Sequence, residues 1–293
     1  MTARRFDPIP YAAQLGAIVT ICLGTSLAKQ LFPLVGAEGT TAIRIGTSAL
    51  MLLAFWRPWR FQFTRADLSR LALYGAVMGL MNLSFYMALR TVPLGLAIAI
   101  EFTGPLGLAM LDSRRPLHFL WIALAIGGLG LLLPIARNGH GLDPIGALFA
   151  FAAGLFWALY IVLGRRTKHL PAGPSVAIGM AVSALILVPV GLVTAGAKLL
   201  SPTVLGLGLV VGLFSSALPY SLEMIALRGI SRRSLGVLLS AEPAFGALAG
   251  LALLGERLSL LQWSAIGLII IASAGTVLTD PATRESDFVP PAG

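Results

Sequence analysis

Five ionisable side chains interrupt long apolar runs of the 293-residue chain: Lys29, Arg44, Glu101, Glu223 and Glu242. A lone charge at the centre of a membrane helix costs roughly 2.5 to 3.5 kcal/mol on insertion scales, so five of them unpaired would cost on the order of 12 to 18. They must pair, reach an interface or line water. Carboxylates in such surroundings can trade a proton for a cation, and a buried Lys or Arg can hold an anion. Glu101 and Glu242 each lie eight residues into their predicted spans, too deep to reach headgroups easily, and each is followed by a proline, Pro105 and Pro243. Proline frees a backbone carbonyl and bends a helix, which is tolerated where the backbone faces protein or a wet cavity.

The other three stand closer to span ends. Glu223 precedes Arg228 by five residues, Lys29 is three residues from Phe32-Pro33, and Arg44 lies about one turn inside its span with Glu38 beyond it. Each could snorkel, form a local pair or serve a site. A static pair of Lys29 or Arg44 with one of the deep carboxylates is the bland alternative to function. Asn82, Ser84 and Tyr86 in the third span, with Trp157 and Tyr160 in the sixth, add hydrogen-bonding and aromatic surface. An amide at mid-span serves packing or a pathway. Trp and Tyr near span ends more often form interfacial belts than ligand cages.

These residues are positioned by a chain that is 57% hydrophobic and only 11% charged, with a mean hydropathy of +0.88. A soluble domain carries about 25% charged residues, and a soluble fold would have nowhere to hide this much apolar surface. Runs of roughly 20 apolar residues predict an all-α integral membrane protein of ten transmembrane helices, at 10–32, 40–56, 70–89, 93–111, 118–136, 144–163, 174–196, 203–226, 234–254 and 260–279. Breaker signals fall between them at Phe32-Pro33, Arg57-Pro58, Arg115-Pro116, Gly139 to Pro144 and Pro171 to Pro174. Arg4 and Arg5 before an apolar stretch resemble a signal peptide, but the run from Pro10 exceeds the 7 to 15 residues of a usual h-region.

A formal charge of +9 raises nucleic acid as a partner, and the placement of the 21 basic residues decides against it. With the N-terminus inside, fifteen fall in cytoplasmic segments: Arg4, Arg5, Arg57, Arg60, Arg65, Arg70, Arg114, Arg115, Arg165, Arg166, Lys168, Arg228, Arg232, Arg233 and Arg284. Four fall opposite, at Arg90, Arg137, Lys198 and Arg257, and Lys29 and Arg44 complete the set. That bias predicts both termini in the cytoplasm. One cysteine, Cys22, excludes an internal disulfide and a cysteine-cluster metal site. No Gly-x-x-x-x-Gly-Lys-Ser/Thr, His-Glu-x-x-His or Gly-x-Ser-x-Gly occurs, so neither direct ATP drive nor a familiar hydrolase centre is supported, and no cofactor or metal is expected.

The two halves resemble each other. Gly16-Ala17, Gly24 and Ala28 match Gly146-Ala147, Gly154 and Ala158 at an offset of 130, and Ala88-Leu89-Arg90 with Pro105 matches Ala226-Leu227-Arg228 with Pro243 at an offset of 138. Arg115 and Trp121 pair with Arg257 and Trp263 after a shift of one turn. Five helices per copy is odd, so the second copy enters the membrane inverted, as in secondary transporters. The expected organisation is a cytoplasmic N-terminus (1–9), repeats at 10–136 and 144–279, and a disordered cytoplasmic tail (280–293).

Four stretches then carry a family resemblance over roughly residues 12–280: Ser26 to Gly36, Thr91 to Pro105 with Glu101-Phe-Thr-Gly-Pro105, Ala217 to Leu227 with Pro219-Tyr-Ser-Leu-Glu-Met224, and Ser240-Ala-Glu-Pro243 with Leu254-Gly-Glu256. They closely resemble the bacterial threonine and homoserine exporters of the EamA branch of the drug/metabolite transporter superfamily. The last two motifs are branch-wide; the Glu-Phe-Thr-Gly-Pro and Pro-Tyr-Ser-Leu-Glu-Met blocks point to the narrower group. The resemblance implies a multi-pass protein of the bacterial inner membrane and a central cavity, with proton-coupled efflux of small amino acids. Lys29 or Arg44 would then hold a substrate carboxylate, and Glu101 or Glu242 its ammonium or a proton. Two alternatives stay open, a multidrug or other metabolite exporter of the same fold and a membrane enzyme or scaffold subunit without transport.

Overall fold

The computed structural model describes residues 8–111, 116–132, 143–167, 169–219, 222–223, 226 and 238–279. Among these residues every regular element is helical, as a backbone surrounded by apolar side chains and lipid requires, because each N–H and C=O must then be satisfied within its own segment. The expected tail 280–293 and the start of the ninth predicted span, 234–237, lie outside the described residues.

Helix α1 (Ile9–Lys29) begins at prolines that need no N–H partner, and it ends in a tight turn in which Gln30 and Leu31 donate to Leu27 and Ala28. Helix α2 (Phe32–Trp56) restarts at once, with Pro33 in its first turn. The breaker at Phe32-Pro33 therefore opens a helix, and the second element starts eight residues earlier than the predicted 40. Its first turn is set off by Gly36, whose φ of 72° lies in the left-handed region that glycine enters freely. Helix α3 (Arg65–Ala88) carries a capping box between Thr64 and Asp67. Helix α4 (Leu94–Leu111) contains Pro105 in its interior, and α5 (Pro116–Leu132) follows.

Helix α6 (Pro144–Arg166) is capped by the Asp143 carboxylate, which accepts from the Ile145 and Gly146 N–H groups and from the Thr91 hydroxyl. The Thr91 bond and then the Gly146 bond hold that carboxyl below the usual range. Helix α7 (Ala172–Ala195) ends at Gly196, another positive-φ glycine. Helix α8 (Pro202–Gly212) loosens into a π-helical turn over Leu213–Ala217. The ninth span was expected to be continuous from 234; instead a turn at Ser240 and Ala241 interrupts it, and α9 (Glu242–Leu254) starts on the glutamate itself. Helix α10 (Leu260–Thr279) closes the described chain.

Among the described residues, four segments are long and apolar enough to cross a membrane: Ile9–Lys29, Arg65–Ala88, Pro144–Arg166 and Ala172–Leu200. Side chains such as Leu50, Phe55, Leu148, Val193 and Leu260 cover the outside, an apolar exterior suited to lipid rather than water. Inside, α2 packs on α7, α4 on α9 and α5 on α10. The contacts α3–α6, α3–α7 and α4–α6 each have a counterpart five helices away, in α1–α8, α2–α8 and α1–α9.

Small residues bring the backbones close. A methyl on Gly154 of α6 would fall 2.5 Å from the Glu101 carbonyl oxygen of α4, and one on Gly24 of α1 would fall 2.6 Å from the Ser215 nitrogen of the π turn. A side chain at either position must push two helices apart. Gly154→Leu is expected to abolish the monodisperse peak of the detergent-solubilised protein in fluorescence-detected size exclusion. Gly164→Ala, whose methyl meets Tyr74 at an ordinary 3.6 Å, is expected to leave that peak within about 0.5 kcal/mol of wild-type stability.

Candidate functional site

The two ends of the bundle can be told apart by their contacts. At one end, which carries the start of α1, Ala13 packs against Ala226, Trp56 lies on Gly173, and His169 reaches Asp67 at 3.1 Å. Arg57, Arg60, Arg65, Arg70, Arg165 and Arg166 stand at helix ends on this side. At the other end Lys29 meets Glu256, Arg90 meets Glu38 at 3.6 Å, and Thr91 meets Asp143.

Between them lies a cavity of about 430 Å³, within the usual size range for a small-molecule site. Helical spacing builds its walls. On α1 the lining residues are Gln14, Ala17, Ile18, Ile21, Cys22 and Thr25, one stripe at three- and four-residue intervals. Helix α4 supplies Ile98, Glu101, Phe102, Pro105 and Leu106 by the same rule, and α3 supplies Met81, Asn82, Phe85 and Tyr86. Trp157 and Tyr160 of α6, Ser215 of the π turn, Glu223, Glu242 and Ser273 complete the polar and aromatic lining.

Arg44, Glu101, Glu223, Glu242, Asn82, Tyr86, Trp157, Tyr160 and Pro105 are therefore brought to one space. Arg44 is buried at 6% exposure, and it neither anchors at an interface nor pairs with Glu38, which is taken by Arg90. Its guanidinium donates through Nη2 to Asn82 Oδ1 and lies 5.1 Å from the centre of the Tyr86 ring, within range of a cation–π contact. Asn82 Nδ2 in turn donates to the Met78 carbonyl oxygen at 2.8 Å. Pro105 sits inside an unbroken α4, whereas Pro243 occupies the first turn of α9 and starts a helix. The two prolines share a sequence position in the halves but not a backbone role.

Lys29 does not join this group. Its Nζ donates to Glu256 Oε1 at 2.6 Å and to the Val92 carbonyl at 3.3 Å, while Glu256 Oε2 accepts from the Leu94 N–H at 2.8 Å. One lysine and one glutamate thus clasp the end of α1, the start of α4 and the segment after α9. The carboxylate also sits at the N-terminus of α4 and the ammonium at the C-terminus of α1, each where the helix dipole favours its charge. The sequence offers Glu101 or Glu242 as a static partner for Lys29 and shows Glu256 only as part of a motif; the partner is Glu256, 227 residues away. Gln14, Thr25, Ser215 and Ser273 were also missed. The signal available for Gln14 and Thr25 was their helical spacing with Ile18, Ile21 and Cys22.

Among the described residues, three carboxylates and one guanidinium surround a small apolar-walled space inside a bundle with an apolar exterior, an arrangement that fits a membrane transporter. The model of the EamA-like transporter family matches residues 144–278. The chain belongs to that family. It is 48% identical over 273 residues to the threonine/homoserine exporter RhtA of Escherichia coli (strain K12), covering 92% of each protein, and 46% identical over 284 residues to the RhtA of Salmonella typhimurium (strain LT2), covering 95% of this chain and 96% of that protein. The uncharacterized transporter YwfM of Bacillus subtilis (strain 168) is 30% identical over 258 residues, 85% of each. A protein of known crystal structure, 20% identical, shares the fold with a TM-score of 0.59 over 94% of this chain and 98% of that one. Family membership makes the chain a transporter and not an enzyme.

The clasp carries a stability prediction. Lys29→Met and Glu256→Gln should each lower the unfolding free energy in detergent by about 1.5 to 3 kcal/mol. Because the two groups act on each other, the double variant should lose less than the sum, which a thermal-shift double-mutant cycle measures.

Proposed function

We propose that the protein exports threonine, homoserine and similar small amino acids across the bacterial cytoplasmic membrane, in exchange for protons, by alternating access. The observation that carries the reading is the joint presence of Arg44 and the carboxylates of Glu101, Glu242 and Glu223 on one cavity wall system, in a chain nearly half identical to threonine/homoserine exporters. A zwitterion needs a cation for its carboxylate and an acceptor for its ammonium. Glu101 and Glu242 fill the second role and alternate between a proton and the substrate ammonium. Each charge moved through 100 mV is worth about 2.3 kcal/mol, so a proton entering down its gradient can drive an amino acid outward against its own.

The topology belongs to the same proposal. Ten spans in two inverted repeats, 10–136 and 144–279, put both termini and the arginine-rich end in the cytoplasm. Support comes from the recurrence of helix contacts five elements apart and from the segregation of basic side chains described above. The cavity is lined from Tyr86 to Gln14, Glu223 and Ser273, and the Lys29–Glu256 clasp, at the end opposite the arginines, falls on the outer side in this topology. Protons, substrate and the lipid bilayer are the partners, and no cofactor takes part.

A multidrug exporter is the second reading, favoured by the aromatic wall of Phe85, Tyr86, Phe102 and Trp157. Proteoliposomes separate the two. With an inward-directed pH gradient the protein should drive labelled threonine and homoserine, and lipophilic cations should neither move nor compete. Glu101→Gln and Glu242→Gln should each cut gradient-driven threonine flux by on the order of a hundredfold, the scale expected for loss of a proton-transfer group. Full gradient-driven flux in both variants would remove the carboxylate mechanism.

A further inference from the structure

The amino-acid reading leaves open which group recognises the substrate carboxylate and whether that contact selects the substrate. Lys29 is held by Glu256 and Val92, and Arg90 by Glu38. Arg44 is, among the described residues, the cation on the cavity wall, and no described carboxylate lies within ion-pairing distance of it. Its Nε carries no hydrogen-bond partner although the residue is 6% exposed. A buried N–H of a charged group without an acceptor is costly, so an acceptor from outside the protein is the natural complement.

The surroundings hold the guanidinium in one pose. Ser48 Oγ donates to the Arg44 carbonyl oxygen at 2.7 Å, and Thr47 Oγ1 does so at 3.1 Å. The same hydroxyls lie 3.2 Å from the Gly212 and 2.9 Å from the Gly208 carbonyl oxygens, which ties this turn of α2 to α8. Gly212 has no room for a side chain against Thr47. On the side-chain side, the bond to Met78 fixes the Asn82 amide so that its oxygen, and not its nitrogen, faces Nη2. The Tyr86 ring lies alongside. An arginine fork pinned at one nitrogen and stacked on a ring presents a defined remaining edge, which suits the two oxygens of a carboxylate.

We propose that the corner made by Arg44, Asn82 and Tyr86 is a carboxylate subsite, with Asn82 as its positioning residue, and that this subsite makes the protein select α-amino acids over the corresponding amines and amides. The proposal rests on the amino-acid reading above and adds the chemical group that is recognised. The acidic groups Glu101, Glu223 and Glu242 come from other segments of the cavity wall. A ligand with charges of both signs satisfies both walls, whereas an amine leaves Arg44 bare and pays for it. Sites built around a buried polar group discriminate strongly against analogues that lack its partner.

The test uses wild-type protein in proteoliposomes exchanging labelled threonine, with threonine, threoninamide and 1-aminopropan-2-ol as unlabelled competitors. Threoninamide and the amine should compete at least about tenfold more weakly than threonine, by the loss of one charge-assisted contact. Equal competition overturns the proposal without any variant. Arg44→Gln should bring the acid-to-amide ratio close to one, and Arg44→Lys, which keeps the charge but not the fork, should raise the KM for threonine on the order of tenfold. Asn82→Asp places a fixed carboxylate against the guanidinium and should raise KM more than Asn82→Ala, with kcat changed less than KM in both. A merely structural role would lower the folded yield and the flux and leave the acid-to-amide ratio at its wild-type value, which also overturns the proposal. The two readings fail differently: absence of threonine exchange by the wild-type protein under any gradient removes the exporter function, while exchange with no preference for the carboxylate removes only this subsite.

Discussion

Charge in hydrocarbon is the constraint from which the rest follows. An ionised side chain cannot be left facing acyl chains, so every such residue in these apolar helices has to turn inward, and turning inward requires something polar to meet it. Two solutions coexist in the molecule. Lys29 and Glu256 meet each other, with backbone groups of Val92 and Leu94 taking up the remaining valences. Arg44 meets one amide and one ring and keeps part of its capacity open toward a space shared with three carboxylates. The first arrangement is closed and serves architecture. The second is incomplete, and incompleteness is what a binding site needs.

The helices that present these groups owe their arrangement to residues with almost no side chain. Gly24, Gly104 and Gly154 let backbones approach to distances at which a methyl group would collide with a carbonyl or an amide. Hydroxyls of Thr47, Ser48 and Ser183 then bond to carbonyl oxygens of neighbouring helices. Such bonds contribute modestly in a membrane, on the order of 0.6 to 2 kcal/mol each, but they fix rotation. Rotation matters because a helix turned by one residue moves its side chains by about 100° and would carry Glu101 or Arg44 out of the cavity.

Much of this was legible in the order of residues. Glu101 could be read as interior because it is remote from both ends of a run of apolar residues, and Asn82 for the same reason. Arg44 was ambiguous, since distance from a span end says nothing about which way a helix faces; its place is set by α2 against α7 and α8, which is tertiary information. The partner of Lys29 was not legible at all, because it is far away in sequence and lies in a connecting segment. Hydropathy was also blind to the turn at Ser240 and Ala241, where the residues stay apolar or small while the backbone leaves the helix. The same blindness hid the start of α2, because a proline that breaks one helix serves equally well to begin another.

The glycine contacts also have a mechanical meaning. Where Gly154 of α6 rests on the Glu101 backbone, and where Gly24 of α1 rests on Ser215, there is no layer of side chains to shear or repack. Each of these pairs behaves as a single stiff lever, with α4 fastened to α6 and α1 to the end of α8. In the proposed alternating-access cycle, the rearrangement that carries the cavity from one face of the bilayer to the other would leave both levers intact and spend its motion where they are joined more loosely, across the opening that separates them. The carboxylate of Glu101 and the stripe on α1 ride on different levers, so the gap between them is a natural coordinate for the transport cycle.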